Sequence, residues 1–187
     1  VTRLARRLFE RGVEVVVMCE MPRRRAAMHI DTLFTRIDEE RCLIYPPLLT
    51  QPEALGVRVH LITPERRVEV PGHLLDALNL VGVELTPVYC GGDDPVSQAR
   101  EQWSDGANAF AIAPGVIVCY ARNERTLKEL NRAGYEVMEP SAFIRNATLY
   151  LSQQSRIAIA LPGHELVRGR GGPRCLTMPL RRRESIA

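Results

Sequence analysis

The chain predicts an α/β architecture, and three observations carry that expectation. Short apolar or alternating runs of strand length recur at Val13–Met18, Val57–Thr63, Val83–Cys90, Val116–Tyr120 and Ile157–Leu161. Helix-period segments fall among them, at residues 3–11, 73–80 and 123–132, with stops at Gly12, Gly82 and Gly134. No Pro- or Ser-rich linker divides the series, so a single domain over residues 1–187 is expected.

In residues 3–11, Leu4, Ala5, Leu8 and Phe9 share one helical face and arginines take the rest. Val13–Met18 is a valine-rich strand broken only by Glu14, and the Arg23–Arg25 run in the next loop reads as a solvated face. Alternation in Asp31–Ile37 and in Arg41–Tyr45, joined by Asp38-Glu39-Glu40, predicts a β-hairpin. Val57–Thr63 and Arg66–Val70 are the next strands, and Pro71-Gly72 turns the chain toward a helix whose first residue, His73, suits a surface or capping role. Gly91-Gly92-Asp93-Asp94-Pro95 reads as a turn or a close backbone approach. The polar stretch Arg100–Asn108 reads as a loop pinned by a buried Trp103. Ala109–Ala113 and Val116–Tyr120 flank Pro114-Gly115 as a second hairpin, and Asn123 is placed to cap the following helix. Tyr135–Met138 and Ile157–Leu161 are strands, Ser141–Arg156 has no assigned role, and Arg181–Glu184 reads as a charged tail.

Of 187 residues, 45% are hydrophobic and 25% charged, in the range of soluble globular chains. No apolar run reaches membrane-spanning length and no signal peptide is visible. The net charge of +3 is too mild to argue for nucleic acid, and Lys128 is the only lysine. Five cysteines form an odd, widely spaced set with no C-x-x-C pair and no histidine at zinc-site spacing. Cys19, Cys42 and Cys119 lie in apolar strand-like runs, so reduced thiols in a cytoplasmic protein are expected. The sequence opens on Val1 already in a helical pattern, so a processed, truncated or partly represented chain is expected.

Two short stretches carry candidate chemistry. GRGGPRCLTMP, Gly169–Pro179, surrounds Cys175 with backbone-permissive glycines and with Arg168, Arg170 and Arg174. A neighbouring cation favours the thiolate, the nucleophilic form, so these arginines are expected to activate the sulfur. The same arginines would also serve as solvated decoration. In AMHIDTLFTRID, an extended His29–Asp31 would put imidazole and carboxylate on one face. That pair fits an acid–base unit, a structural pair or half of a metal site.

RRRAAMHIDTLFTRID, REQWSDGANAFAIAPGVIVCYARN and RGRGGPRCLTMP, in this order, resemble the C-terminal part of arginine deiminase, a guanidine-modifying hydrolase. The resemblance implies part of a five-bladed α/β-propeller (pentein fold) of ββαβ-type repeats. It also implies that Cys175 is the nucleophile, His29 the general acid and base, and Asp31 a carboxylate that clamps the guanidinium. Arg170 and the Gly169 carbonyl match a loop that closes over the substrate. The substrate is then L-arginine, with no metal or organic cofactor required, no nucleic acid or membrane partner, and either a homo-oligomer or a missing N-terminal half. The family's further aspartate, glutamate and carboxylate-binding arginines belong to that absent half, and Ser141–Arg156 is an addition to the family pattern. Arginine dihydrolases are similar in these motifs and a close competing reading, while amidinotransferases and dimethylarginine hydrolases share the fold. A non-catalytic fragment that binds arginine-like ligands is the competing expectation. RNA contact through RGRGG is poorly supported, since no aromatics interleave with it.

Overall fold

Three small sheets, two of them mixed, organise the chain in a computed structural model that describes residues 2–153 and 155–180. The predicted Arg181–Glu184 tail lies outside the described residues. After helix α1 (Thr2–Phe9), the first sheet has the order β1 (Val16–Glu20), β4 (Arg58–Ile62), β5 (Arg67–Val70), all antiparallel. In the second, β2 (Phe34–Arg36) pairs antiparallel with β3 (Arg41–Ile44), which pairs parallel with β6 (Thr86–Tyr89). The third has the order β7 (Phe110–Ala113), β8 (Val116–Tyr120), β10 (Ile157–Leu161), β9 (Glu136–Met138), antiparallel at the first pair and parallel thereafter.

Alternation along β3 explains how the sheets stack. Cys42 and Ile44 point into a core shared with Val59 and Val70 of the first sheet and with Leu74, Leu75 and Ala77 of α4 (Leu74–Asn79). Leu43, between them, points the other way, into a core with Ile117, Cys119 and Ala158 of the third sheet and Leu130 of α6 (Glu124–Arg132). The second sheet is therefore the partition between two cores. A third cluster, Val116, Ile157 and Ile159 with Phe143, covers the opposite face of the last sheet.

Phe143 belongs to α7 (Pro140–Arg145), which is followed by α8 (Ala147–Ser152), so the unassigned Ser141–Arg156 stretch is largely a helical pair, joined by stacking of Phe143 on Tyr150 at 5.9 Å. The two Pro-initiated helices α2 (Pro47–Thr50) and α3 (Pro52–Leu55) and the helix α5 (Pro95–Trp103) complete the elements. In α5, Asp94 accepts from the amides of Val96 and Ser97 as N-cap.

Several expectations are corrected here. Residues 13–15 lie outside β1, which runs on to Glu20 instead. Trp103 is not buried but 51% exposed, because it closes a helix rather than pinning a loop. Asn123 stands at the head of α6 without capping it; its amide donates to the Ser104 carbonyl at 3.0 Å. Two amides of α6, those of Arg125 and Thr126, donate instead to the buried Glu101 carboxylate of α5, at 3.0 and 2.8 Å. His73 does cap α4, in a reciprocal box with Asp76.

Candidate active site

His29 and Asp31 leave the first core just before β2. His29 is extended (φ −139°, ψ 151°), but Ile30–Thr32 closes a 3₁₀ turn, so the strand periodicity expected for this pair does not apply. Both side chains nonetheless reach one cleft of about 730 Å³, lined also by Arg36, Phe110, Ile112, Arg174 and Cys175. Cys175 arrives from the other end of the sequence, on the loop that follows β10. Its Sγ donates to Asp31 Oδ2 at 3.8 Å. The other Asp31 oxygen, Oδ1, is buried and has no hydrogen-bond partner.

Segment 101–108, the last residues of α5 and the turn that leads toward β7, fastens both sides of the cleft. Gln102 Nε2 donates to the Ala26 carbonyl at 2.6 Å and to the Thr32 carbonyl at 3.3 Å, gripping the His29–Asp31 turn at both ends. Asp105 Oδ2 accepts from the Gly171 amide at 3.1 Å. Asn108, fully buried, donates to Cys175 Sγ at 3.3 Å and accepts from the Arg174 amide at 3.0 Å. From β8, Tyr120 donates its hydroxyl proton to the Gly171 carbonyl at 2.8 Å. Gly163, where the loop begins, has no room for a side chain: a Cβ would stand 2.4 Å from the Tyr120 ring.

The expected activation of Cys175 by its sequence neighbours is not found. Partial burial pushes the thiol above its ordinary value of 9.0, and the Asp31 charge pushes it the same way, against hydrogen bonds from the Gly172 amide and Asn108. Two of the three arginines are occupied elsewhere. Arg168 pairs with Glu165 at 2.5 Å. Arg170 lies over the Trp103 ring at 4.6 Å and donates to the carbonyls of Trp103 and Ala26, at 2.5 and 3.2 Å. It adopts a left-handed backbone (φ 61°), and its buried Nε has no partner. Arg174 lines the cleft with its side chain exposed. Gly169 closes a 3₁₀ turn, Leu166–Gly169, and neither it nor Arg170 lines the cleft.

Burial also raises the Asp105 carboxyl, opposed by the Arg170 charge and the Gly171 amide. Sequence reasoning passed over Asp105, Asn108 and Gln102, although all three stand in the REQWSDGAN motif. Among the described residues, no three His, Cys, Asp or Glu side chains gather to hold a metal ion, and no helix is long and apolar enough to cross a membrane.

A mixed α/β scaffold thus brings a thiol, an imidazole and a half-paired carboxylate to one cleft. The arginine deiminase family model matches residues 1–182, and the chain belongs to that family. It is 38% identical to an arginine deiminase of Listeria welshimeri over 189 residues, covering 96% of this chain and 40% of that protein. With that of Latilactobacillus sakei it shares 37% identity, over 99% of this chain and 42% of the relative. For Mycoplasma capricolum the figures are 33%, 98% and 41%. The chain thus spans about two fifths of the length of the curated relatives it matches.

Proposed function

We propose that this chain forms the C-terminal, nucleophile-bearing part of an enzyme that hydrolyses the L-arginine guanidinium to L-citrulline and ammonia. The observation that carries the reading is the Asp31 carboxylate. One of its oxygens is buried without a donor, while the other meets the Cys175 sulfur at 3.8 Å. A guanidinium supplies in-plane N–H donors that such an oxygen requires, and Asp31 would hold the central carbon beside the sulfur.

Charge explains why the thiol can rest protonated. Burial and Asp31 keep its proton on, and a bound cation offsets Asp31 and favours the thiolate at the moment it is needed. His29 takes the thiol proton, and the thiolate adds to the guanidinium carbon, forming a C–S bond as a C–N π pair moves onto nitrogen. His29 gives a proton to the departing nitrogen as the C–N bond breaks, and ammonia leaves. Water, losing a proton to His29, adds to the same carbon; the C–S bond breaks, returning the thiolate and releasing citrulline. Arg170 and the Gly169 carbonyl belong to the loop that closes on substrate, a movement that would take Arg170 off Trp103.

The three sheets read as blades of a five-bladed α/β-propeller, the other blades belonging to the part of the relatives that this chain does not span. That part would complete the carboxylate clamp. The 187-residue chain is accordingly expected to be weakly active or inactive, and a version extended at its N-terminus to the relatives' length is expected to turn arginine over. Rapid quench with arginine followed by mass spectrometry should find an amidino adduct on Cys175 in the extended protein and none in Cys175→Ser. Citrulline formation by Cys175→Ser at the unaltered rate would sink the assignment.

A further inference from the structure

We propose that Asn108 is the positioning residue of the Cys175 thiol, its amide gripping the sulfur with one end and the backbone beside it with the other. The role of the sulfur itself rests on the function proposed above; the contact does not. Asn108 is 0% exposed, so both ends of its amide must be satisfied within the protein. The Arg174 N–H, at 3.0 Å, can only donate, which fixes the Asn108 oxygen toward it and turns the NH₂ group toward Cys175 Sγ at 3.3 Å. The amide orientation is thus determined by a backbone donor next to the cysteine.

The loop is built around this contact. Gly172 passes so close that a Cβ there would lie 2.2 Å from Asn108 Oδ1, so the loop seats only with glycine at that position. The Asn108 backbone is held in turn, donating to the Asp105 carbonyl at 3.0 Å, and Asp105 holds the Gly171 amide. One short turn therefore clamps residues 171–175 at both ends.

The sulfur has two opposed neighbours. Asp31 accepts the S–H at 3.8 Å and favours the thiol, whereas Asn108 donates to sulfur and favours the thiolate, the stronger acceptor. When the proton leaves, the Asn108 bond keeps the sulfur in place and strengthens.

The test reads the thiol directly, in the full chain and without arginine: the rate at which iodoacetamide alkylates Cys175, followed by peptide mass across a pH series. In Asn108→Ala the profile should move to higher pH, with a rate at neutral pH about tenfold lower. Asn108→Asp keeps an acceptor for the Arg174 amide but loses the donor to sulfur, and should move the profile the same way. In the unaltered protein, the Asn108 side-chain amide resonances should titrate with the midpoint of the Cys175 thiol, a readout that needs no variant to fold. A folded Asn108 variant whose profile superimposes on that of the unaltered protein, or Asn108 resonances blind to the thiol midpoint, overturns the proposal. A chain that shows these shifts but never yields citrulline leaves the role of Asn108 standing and removes only the function proposed above.

Discussion

On the function proposed above, Asp31 serves two ends that oppose each other. Its charge keeps the proton on Cys175, and the same charge is what a guanidinium would be held by. Asp31→Asn should therefore separate the two. Alkylation of Cys175 at neutral pH should become faster, since a cause of the raised thiol value is gone. Arginine binding to the extended protein, followed by calorimetry, should weaken by roughly 2–4 kcal/mol, because one charged partner of a desolvated hydrogen bond is lost. Slower alkylation, or unchanged binding in a folded variant, contradicts this account. At this scale the sequence was legible where residue types are rare and their setting unusual, as in H-x-D and in the glycine-rich run around Cys175. It misled where adjacency in the chain was taken for adjacency in space. Arg168 and Arg170 flank the cysteine in sequence, yet one turns to Glu165 and the other to Trp103. Asn108 touches the sulfur from 67 positions away, a contact no local pattern announces.

Helix α6 shows what sequence patterns do and do not carry at the level of elements. Its period and its stop at Gly134 are local properties and could be read. Its cap could not, because the donors at its head are satisfied by Glu101, whose carboxylate also accepts from the Thr126 hydroxyl at 2.8 Å and from Arg100 at 3.1 Å. Asn123 has the right residue type for a cap and is drawn instead to Ser104, its Oδ1 accepting from that hydroxyl at 2.5 Å. Glu101→Ala is expected to destabilise the fold by roughly 2–4 kcal/mol, since it strands the buried Thr126 amide, the half-buried Arg125 amide and a hydroxyl together. Urea unfolding measures this; a loss under half a kcal/mol would show that α6 needs no such cap. The same exchange of partners explains why Arg100–Trp103, the end of α5, reads as loop in the sequence: the Gln98, Glu101 and Gln102 of that helix are buried polar residues that hold other segments, so no apolar stripe marks it.

Because the second sheet separates two cores, cysteines on both sides of it report on the whole molecule. Burial pushes Cys42 in one core and Cys119 in the other up to about 12, and Cys90, just after β6, likewise to about 12. In the unfolded chain these thiols ionise near 9.0, while the folded protein keeps their protons. The stability they contribute is complete below the unfolded value and is lost as pH rises toward the folded one. Above pH 9 each should remove about 1.4 kcal/mol per pH unit until its folded value is reached. Denaturant midpoints between pH 8 and 11 should fall accordingly, and Cys119→Ala, though less stable at neutral pH, should fall less steeply. An identical slope in that variant would rule this origin out. The α/β alternation and both hairpins were visible in the sequence because period and turn residues specify them. The partition into two cores was not, because it depends on which face of β3 meets which neighbour.

The Ala26 carbonyl accepts from Gln102, Arg170 and Thr32, at 2.6, 3.2 and 3.4 Å, and so joins three segments at one atom. No side-chain substitution at position 26 can delete that oxygen, so conventional mutagenesis reaches the junction only through one donor at a time. Backbone chemistry reaches all three together. Replacing Ala27 by its α-hydroxy acid makes the carbonyl an ester, a weaker acceptor, and also removes the Ala27 amide that donates to the Arg24 carbonyl at 3.0 Å. The His29–Asp31 turn and the Arg170 loop should then loosen in concert, seen as faster amide exchange at Thr32 and Arg170. Loosening of only one would mean that the two halves of the cleft are seated independently, and that the shared oxygen is a meeting place and not a latch.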